Sequence, residues 1–293
     1  MEGCKQCPRA CGADRRAETG FCGVPAGIRL ARAALHPWEE PCISGERGSG
    51  TLFFCGCNLR CVFCQNREIS HGEEGGVAVS PSELKCIMLR LQEEGASNIN
   101  LVTPTQYALQ LVPILREIRG ELRIPVVYNC GGYESVETLR ALEGLIDVYL
   151  PDCKYYSPQL SASYSAAPDY FVVASKAILE MHRQQPQLVW EGDLLKKGLI
   201  VRHLVLPGCW KDSLALLDFL DKNLPKDSFL LSLMSQYTPT AACAAYPEIN
   251  RRVTTYEYRK VADHAAELGF SGFVQDRRSA KEEYTPPFDL EGV

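Results

Sequence analysis

The stretch GCNLRCVFCQN at residues 56–66 contains three cysteines in a C-x3-C-x2-C pattern: Cys57, Cys61 and Cys64. It directly follows a short apolar run, TLFFC at 51–55, which has the composition of a buried strand. Three thiolates this close together fit three corners of a [4Fe–4S] cluster, which usually takes four cysteines. A zinc site is the alternative, but zinc ligands usually come as pairs from two separate arms. The loop therefore predicts a cluster with one open, reactive iron at the end of a strand.

Strand and helix signals alternate along the rest of the chain. Predicted strands cover 51–55, 98–102, 124–129, 147–150, 198–208 and 229–235, with a short seventh run at 270–275. Predicted helices cover 80–95, 106–119, 135–144, 169–185, 212–223 and 254–269. Apolar strands alternating with amphipathic helices predict parallel βα units and a sheet covered on both faces. Because six strands fall short of the eight that close a TIM barrel, we predict an α/β fold with a partial (β/α)6 barrel.

Residues 1–50 differ in composition from the rest, being rich in Cys, Gly, Pro and Arg with little periodicity. They are predicted to form an irregular cysteine-rich extension, with the barrel in 51–293. Four of their cysteines form a complete ligand set, C-x2-C-x3-C-x10-C: Cys4, Cys7, Cys11 and Cys22. Zinc and an auxiliary [4Fe–4S] cluster satisfy such a set equally. The run GERGSG at 45–50 lacks the GK[ST] ending of a P-loop and is read as a turn.

Composition limits the classes of function. The 293 residues carry a formal net charge of -5, which disfavours non-specific binding to nucleic acid. The N-terminus has no apolar signal region, and no run reaches the roughly 18 to 20 apolar residues of a membrane span, so a cytoplasmic location is predicted. In that reducing compartment, clustered cysteines are metal ligands more often than disulfides. The scattered ones are read as small buried groups: Cys42, Cys55, Cys86, Cys130, Cys153, Cys209 and Cys243.

The three-cysteine loop, with Phe63 before its last cysteine, resembles the signature of the radical S-adenosylmethionine (SAM) superfamily. GCNLRCVFCQN is similar to the version in pyruvate formate-lyase-activating enzymes. The resemblance continues in CKQCPRACG…GFCG, EPCISGERGSGTLFF, NINLVTPTQY, VVYNCGGYESVETL, DVYLPDCKYY, GLIVRHLVLPG and LMSQYTP, which together resemble the PflX-type branch. It implies a six-unit partial barrel and a cluster whose open iron is chelated by SAM. It also implies reductive cleavage of SAM to a 5′-deoxyadenosyl radical that removes hydrogen from a substrate.

The resemblance also implies how the first strands bind SAM. Phe63 would lie against the adenine, although core packing explains it as well. The usual Gly-Gly-Glu after the second strand is replaced by VTPTQY, so Thr103 and Thr105 would offer the SAM amino group only neutral contacts. Thr105 is equally suited to cap the next helix. Asn129 is expected at ribose or substrate, and so is Ser135 unless it is only a helix cap.

Later strands supply charged candidates. Asp152 and Lys154 resemble the Asp-x-Lys of activating enzymes, where the cation suits the SAM carboxylate and the aspartate suits a ribose hydroxyl or substrate amide. A surface salt bridge is the alternative. Arg202 and His203 interrupt an apolar strand, and we expect one of them to reach SAM while the other pairs across the strand. Gln236 and Tyr237 are candidates for substrate contact: both follow the sixth strand.

Three functions remain open. The first is an activating enzyme that removes hydrogen from a glycyl residue of a partner protein, but the chain lacks the T-V-D-G-P-G run and the eight-cysteine insert of such enzymes. The second is a lyase, epimerase or dehydrogenase acting on a small molecule or peptide. The third is a non-catalytic Fe–S or zinc protein. For the enzymes, a flavodoxin or ferredoxin is the expected electron donor, and the sequence does not identify the substrate.

Overall fold

The computed structural model describes residues 3–71, 76–275 and 285–293. Its strands are β1 (Arg29–His36), β2 (Ser49–Phe54), β3 (Val77–Ala78), β4 (Ile99–Val102), β5 (Val126–Cys130), β6 (Val148–Pro151), β7 (Val189–Glu191), β8 (Leu194–Leu204), β9 (Leu230–Met234) and β10 (Gly272–Val274). Its α-helices are α1 (Pro41–Ser44), α2 (Arg67–Ser70), α3 (Pro81–Glu93), α4 (Ala108–Ile118), α5 (Val136–Ala141), α6 (Pro158–Ser165), α7 (Tyr170–Gln184), α8 (Trp210–Asn223) and α9 (Thr255–Glu267).

The strands form one sheet in the order β10-β9-β8-β6-β5-β4-β2-β1-β3, with β7 paired to β8 outside this path. Neighbours from β2 to β10 are parallel, whereas β1 and β3 are antiparallel additions at one edge. The order begins at β10 and ends at β3, so in the described residues the sheet does not close. The predicted partial (β/α)6 barrel is confirmed.

The irregular conformation predicted for residues 1–50 is wrong for Arg29–His36, because β1 is paired along β2. Its sequence, RLARAALH, lacks a clear apolar alternation, and its two arginines find partners far along the chain. Arg29 donates to the carbonyl of Gly76 over 2.6 Å. The division of the chain at residue 50 stays a prediction. The turn read at 45–50 is confirmed only as far as Gly48, since β2 starts at the next residue.

The predicted helix caps are confirmed where both partners of a capping box are present. Ser80 and Glu83 bond reciprocally at the start of α3, and Thr254 and Glu257 do so at the start of α9. Six of the described strands and α-helices were not predicted: β1, α1, α2, β3, α6 and β7. Helix α6 has little apolar periodicity, and β7 forms a hairpin with the beginning of β8, which therefore starts four residues before the predicted 198.

Helix α1 fills one end of the barrel. Cys42 and Ile43 are buried among Val127 and Val148, near the amino ends of β5 and β6, and Ile200 in the middle of β8. The barrel interior is therefore apolar at this end. Its polar residues lie toward the carboxyl ends, where α/β folds carry their chemistry.

Residues 285–293 lie along β1. The backbone N–H of Leu290 donates to the carbonyl of Ala31 over 3.1 Å, and that of Ala33 donates to Glu291 over 2.9 Å. Arg32 adds ion pairs to Asp289, at 2.6 Å, and to Glu291. These contacts extend the sheet edge beyond β3. Within the described ranges, no helix has the length and apolar content needed to cross a bilayer.

Candidate active site

The three-cysteine loop leaves the carboxyl end of β2 through Gly56, whose φ of 82° lies in the left-handed region. A Cβ at this position would come within 2.8 Å of the Cys22 carbonyl oxygen and of Val24. Glycine is therefore required for the N-terminal segment to approach the loop. The backbone N–H of Cys57 donates to that same Cys22 carbonyl over 3.2 Å.

Each sulfur of the loop has a hydrogen-bonding neighbour. The contacts are Leu59 N–H to Cys57 Sγ at 3.4 Å, Ser165 Oγ to Cys61 Sγ at 2.9 Å, and Ser70 Oγ to Cys64 Sγ at 3.3 Å. All 14 cysteines lie in the described residues and are free thiols. The loop cysteines are therefore available as ligands.

The chemistry of this donor set fits an iron–sulfur cluster. Burial raises the pKa of Cys57, and the neighbouring Cys61 and Cys64 raise it further. Burial also raises the pKa of Cys61, while Lys154 opposes that shift. Three thiolates crowded in a buried loop destabilise one another unless a cationic group binds all three. A cluster does so while distributing its cysteines over separate irons.

Asp152 and Lys154 lie in one polar network with Arg202 and Asn129. Asp152 accepts from Lys154 Nζ over 2.5 Å and from Arg202 Nε over 2.9 Å. Arg202 also donates to Asn129 Oδ1 over 2.6 Å. Burial by itself would raise the pKa of Asp152, but the Arg202 and Lys154 cations lower it below its ordinary value. The side chains of Asp152, Lys154 and Arg202 are only 16–17% exposed, so their ion pairs are not surface salt bridges.

Two glutamates that were not predicted from the sequence, Glu39 and Glu40, join this network. Arg202 Nη1 lies 3.4 Å from Glu39 Oε2, and Asn100 donates to Glu39 Oε1 over 2.9 Å. Burial raises the pKa of both Glu39 and Glu40, and Arg202 opposes the shift in each. Glu40 Oε2 is buried without a hydrogen-bond partner among the described residues. Glu39 and Glu40 reach the network because they directly precede α1. No local sequence pattern indicates this position.

Thr103 and Thr105 have different environments. Thr103 directly follows β4 and has a φ of 57°, an uncommon and strained value for a β-branched residue. Thr105 donates to Glu134 Oε1 over 2.6 Å, and Tyr128 donates to Glu134 Oε2 over 3.1 Å. The suggestion that Thr105 caps the next helix is wrong, since it lies in a 3-10 turn and no side chain caps α4. Burial raises the pKa of Glu134 to about 7.

Phe63 is 6% exposed and belongs to an aromatic cluster beside the loop. Its ring centroid lies 6.4 Å from that of Tyr155 and 5.7 Å from that of Tyr237. Tyr237 is itself buried and donates to the carbonyl of Ile249 over 2.8 Å. The structure thus places Phe63 and Tyr237 together, in packed surroundings. Gln236 donates to Met234 Sδ over 3.8 Å.

The structure separates His203 from the Asp152 network. His203 bonds through Nδ1 to the Cys153 carbonyl at 2.6 Å and through Nε2 to Ser213 of α8 at 2.8 Å. Burial lowers its pKa to about 4. Of the two residues that interrupt β8, Arg202 is the one that joins the polar group, and His203 pairs across the strand. Ser135 caps α5 by accepting from the Thr138 N–H.

The N-terminal cysteines lie close to one another around Gly20. A Cβ on Gly20 would be 3.4 Å from the sulfurs of both Cys11 and Cys22. Burial raises the pKa of Cys7 to about 11, and nearby Cys22 and Cys4 contribute. In the ranges that the structure describes, no three Cys, His, Asp or Glu side chains are arranged to hold a single metal ion. The metal of this segment stays a prediction.

Comparison with known proteins agrees with this geometry. The sequence model of the radical SAM superfamily matches residues 51–170. The uncharacterized protein MJ0674 of Methanocaldococcus jannaschii is 31% identical over 276 residues, covering 90% of this chain and 75% of that protein.

Solved structures show the same fold. SuiB of Streptococcus suis bound to precursor peptide SuiA has a TM-score of 0.52 at 15% identity, covering 76% of this chain and 48% of SuiB. SuiB bound to SAM also has a TM-score of 0.52 at 15% identity, covering 79% and 51%. The chain thus spans about half the length of SuiB. With its three-cysteine loop and the matching sequence model, the chain contains a radical SAM superfamily domain at residues 51–170.

Proposed function

We propose that this chain binds a [4Fe–4S] cluster through Cys57, Cys61 and Cys64 and SAM at the iron they leave open. The observation that carries the proposal is the shared position of two groups at the carboxyl ends of the strands: the cysteine loop follows β2, and Asp152 with its ion partner Lys154 follows β6. Burial raises the pKa of Cys57 and Cys61, and the charge of Lys154 opposes this larger effect. When bound there, the reduced cluster and SAM supply a 5′-deoxyadenosyl radical that takes hydrogen from a substrate.

The polar network has a role for each charge. The Lys154 ammonium, bonded to Asp152, suits the SAM carboxylate. Asp152, held ionised by Arg202 and Lys154, is the acceptor for a ribose hydroxyl. Asn129, bonded to Arg202, extends the same acceptor and donor surface.

Contacts with the rest of SAM follow from the neighbouring side chains. Phe63 supplies an apolar face for the adenine. Thr103 and Thr105 are the candidates for the amino group: Thr105 donates its proton to Glu134, which leaves its hydroxyl oxygen free to accept. Helix α1 excludes water from the opposite end of the barrel, which protects a reactive species.

The substrate follows from resemblance rather than from the site. Similarity to activating enzymes favours a glycyl residue of a partner protein, with a flavodoxin or ferredoxin as electron donor. A second candidate, a small molecule or a peptide, is favoured by one observation. The sequence lacks the T-V-D-G-P-G run that precedes the cysteine loop in activating enzymes.

Anaerobic reconstitution with iron, sulfide, SAM and dithionite tests the proposal through release of 5′-deoxyadenosine. Cys57→Ala should abolish the release, and Cys86→Ala, at an exposed position on α3, should leave it unchanged. No release from a preparation that shows the EPR signal of a reduced cluster would overturn the proposal. A glycyl radical signal in a co-incubated partner would separate the first substrate from the second.

A further inference from the structure

A chain of hydroxyl groups ends on the sulfur of Cys61. Ser165 Oγ lies 2.9 Å from Cys61 Sγ and 2.7 Å from the Tyr155 hydroxyl. Ser165 and Tyr155 are fully buried, and Cys61 is 8% exposed. Solvent therefore does not compete for these hydrogen bonds, which are electrostatically stronger in such surroundings than in water.

Metal ligation fixes the direction of this chain. A cysteine bound to iron is a thiolate, which has no proton to donate and only accepts. The single hydroxyl proton of Ser165 must then point at Cys61, so Ser165 Oγ is left to accept from Tyr155. Burial raises the pKa of Tyr155 well above its ordinary value, so this tyrosine keeps the proton that the arrangement needs.

We propose that Ser165 is a positioning residue that raises the reduction potential of the cluster through its hydrogen bond to Cys61, with Tyr155 fixing the direction of the hydroxyl. This inference rests on the proposed function. A hydrogen bond to a ligand sulfur withdraws electron density and favours the reduced cluster.

Cys64 has a weaker version of the same arrangement. Ser70 Oγ lies 3.3 Å from Cys64 Sγ and 2.8 Å from His71 Nδ1. Burial lowers the pKa of His71 to about 4, so its ring is neutral, and Ser70 donates to Cys64 in the tautomer that carries the ring proton on Nδ1. Because this contact is longer and Cys64 is less buried, its effect on the potential should be smaller than that of Ser165.

The test is a potentiometric titration of the reconstituted protein, followed by the EPR signal of the reduced cluster. At equal iron content, Ser165→Ala should lower the midpoint potential of the cluster. Ser70→Ala should lower it by less. Ser165→Thr keeps the hydroxyl and should restore the original potential. Ser161→Ala is the matched control, because Ser161 is equally buried on α6 but donates to the Pro158 carbonyl.

A double-mutant cycle separates tuning from mere packing. Tyr155→Phe alone should shift the potential in the same direction by less, because Ser165 still donates but is no longer polarised. In the Ser165→Ala background, Tyr155→Phe should add nothing. The main chain of Ser165 still accepts from the Arg60 N–H over 3.2 Å in the alanine variant, so the loop stays anchored.

Two outcomes would overturn the inference. An unchanged potential in Ser165→Ala, with the cluster bound, contradicts the role of Ser165 and leaves the proposed function intact. Additive shifts in the cycle contradict the hydroxyl chain. If the unsubstituted protein binds no cluster at all, the proposed function fails and this inference fails with it.

Discussion

The backbone N–H of Cys57 is hydrogen-bonded to the carbonyl oxygen of Cys22 over 3.2 Å. The first cysteine of the barrel loop is thereby joined to the last of the N-terminal four. Arg15 strengthens the same junction from within: it is 7% exposed and donates to the carbonyls of Val24, Pro25 and Gln106. The N-terminal segment is therefore part of the wall of the candidate site.

Arg15→Met should loosen this junction. Three buried carbonyls would lose a charged donor, which we expect to destabilise the segment by about 2 kcal/mol. Hydrogen exchange should rise across residues 3–24 and in the cysteine loop. Arg16→Met is the matched control, because Arg16 is 66% exposed and pairs with Asp14 at the surface. Equal exchange in the two variants would contradict the prediction.

Gly132→Ala should displace Asp152. Gly132 has a φ of 77°, and a Cβ there would lie 2.1 Å from the Asp152 carbonyl oxygen. We expect a loss of about 3 kcal/mol or more in urea unfolding, with weaker SAM binding. Gly144 has a similar φ of 79° but open space around it, so Gly144→Ala should cost only about 1 kcal/mol of backbone strain. Equal losses would show that crowding against Asp152 is unimportant.

Lys154→Met should weaken SAM binding by about 10- to 100-fold, because it removes a largely buried cation and leaves the Asp152 carboxylate short of one partner. Calorimetric titration of the reconstituted protein with SAM, without reductant, measures this directly. Lys176→Met, on the exposed face of α7, should bind as the unsubstituted protein does. An unchanged affinity in Lys154→Met would remove this residue from the site.

Glu134→Gln should change how stability depends on pH. Burial raises the pKa of Glu134 from 4.5 to about 7, so the folded state holds the proton more tightly than the unfolded chain does. Below pH 4.5 both states are protonated. Between 4.5 and 7 the unfolded chain ionises first and stability falls, by about 3 kcal/mol in all. The glutamine variant lacks this loss.

Urea unfolding at a series of pH values gives the measurement. The difference between Glu134→Gln and the unsubstituted protein should grow with pH through this window and then level off. Glu121→Gln, at an exposed position, should run parallel to the unsubstituted protein. A parallel curve for Glu134→Gln would mean that the carboxyl is not buried in the way the structure shows.

The parts of the site that are local in sequence could be predicted. Cys57, Cys61 and Cys64 share one loop, and Asp152 and Lys154 share one strand end. Residues brought together over long separations could not. Glu39 meets Arg202 across 163 positions of the chain, and Ser165 meets Cys61 across 104.

Adjacent residues pose a different difficulty. Arg202 and His203 follow one another on β8, so their side chains leave opposite faces of the sheet. Both faces of this strand are buried, and apolar neighbours on either side give no sign of which face is the interior. Strand β1 was missed for a related reason. Its arginines, Arg29 and Arg32, break the apolar pattern expected of a strand, although both have partners in the fold. Contacts between distant parts of the chain determine which face of β8 is interior and that residues 29–36 form a strand, and sequence periodicity does not contain this information.

The pairing of residues 285–293 with β1 bears on how the protein avoids association. A bare strand edge presents unpaired N–H and C=O groups that recruit strands from other molecules. Here Leu290 and Glu291 occupy those groups on Ala31 and Ala33, and Asp289 and Glu291 add acidic charge beside them. Residues 289–291 thus cover part of the exposed edge of β1 and disfavour edge-to-edge aggregation.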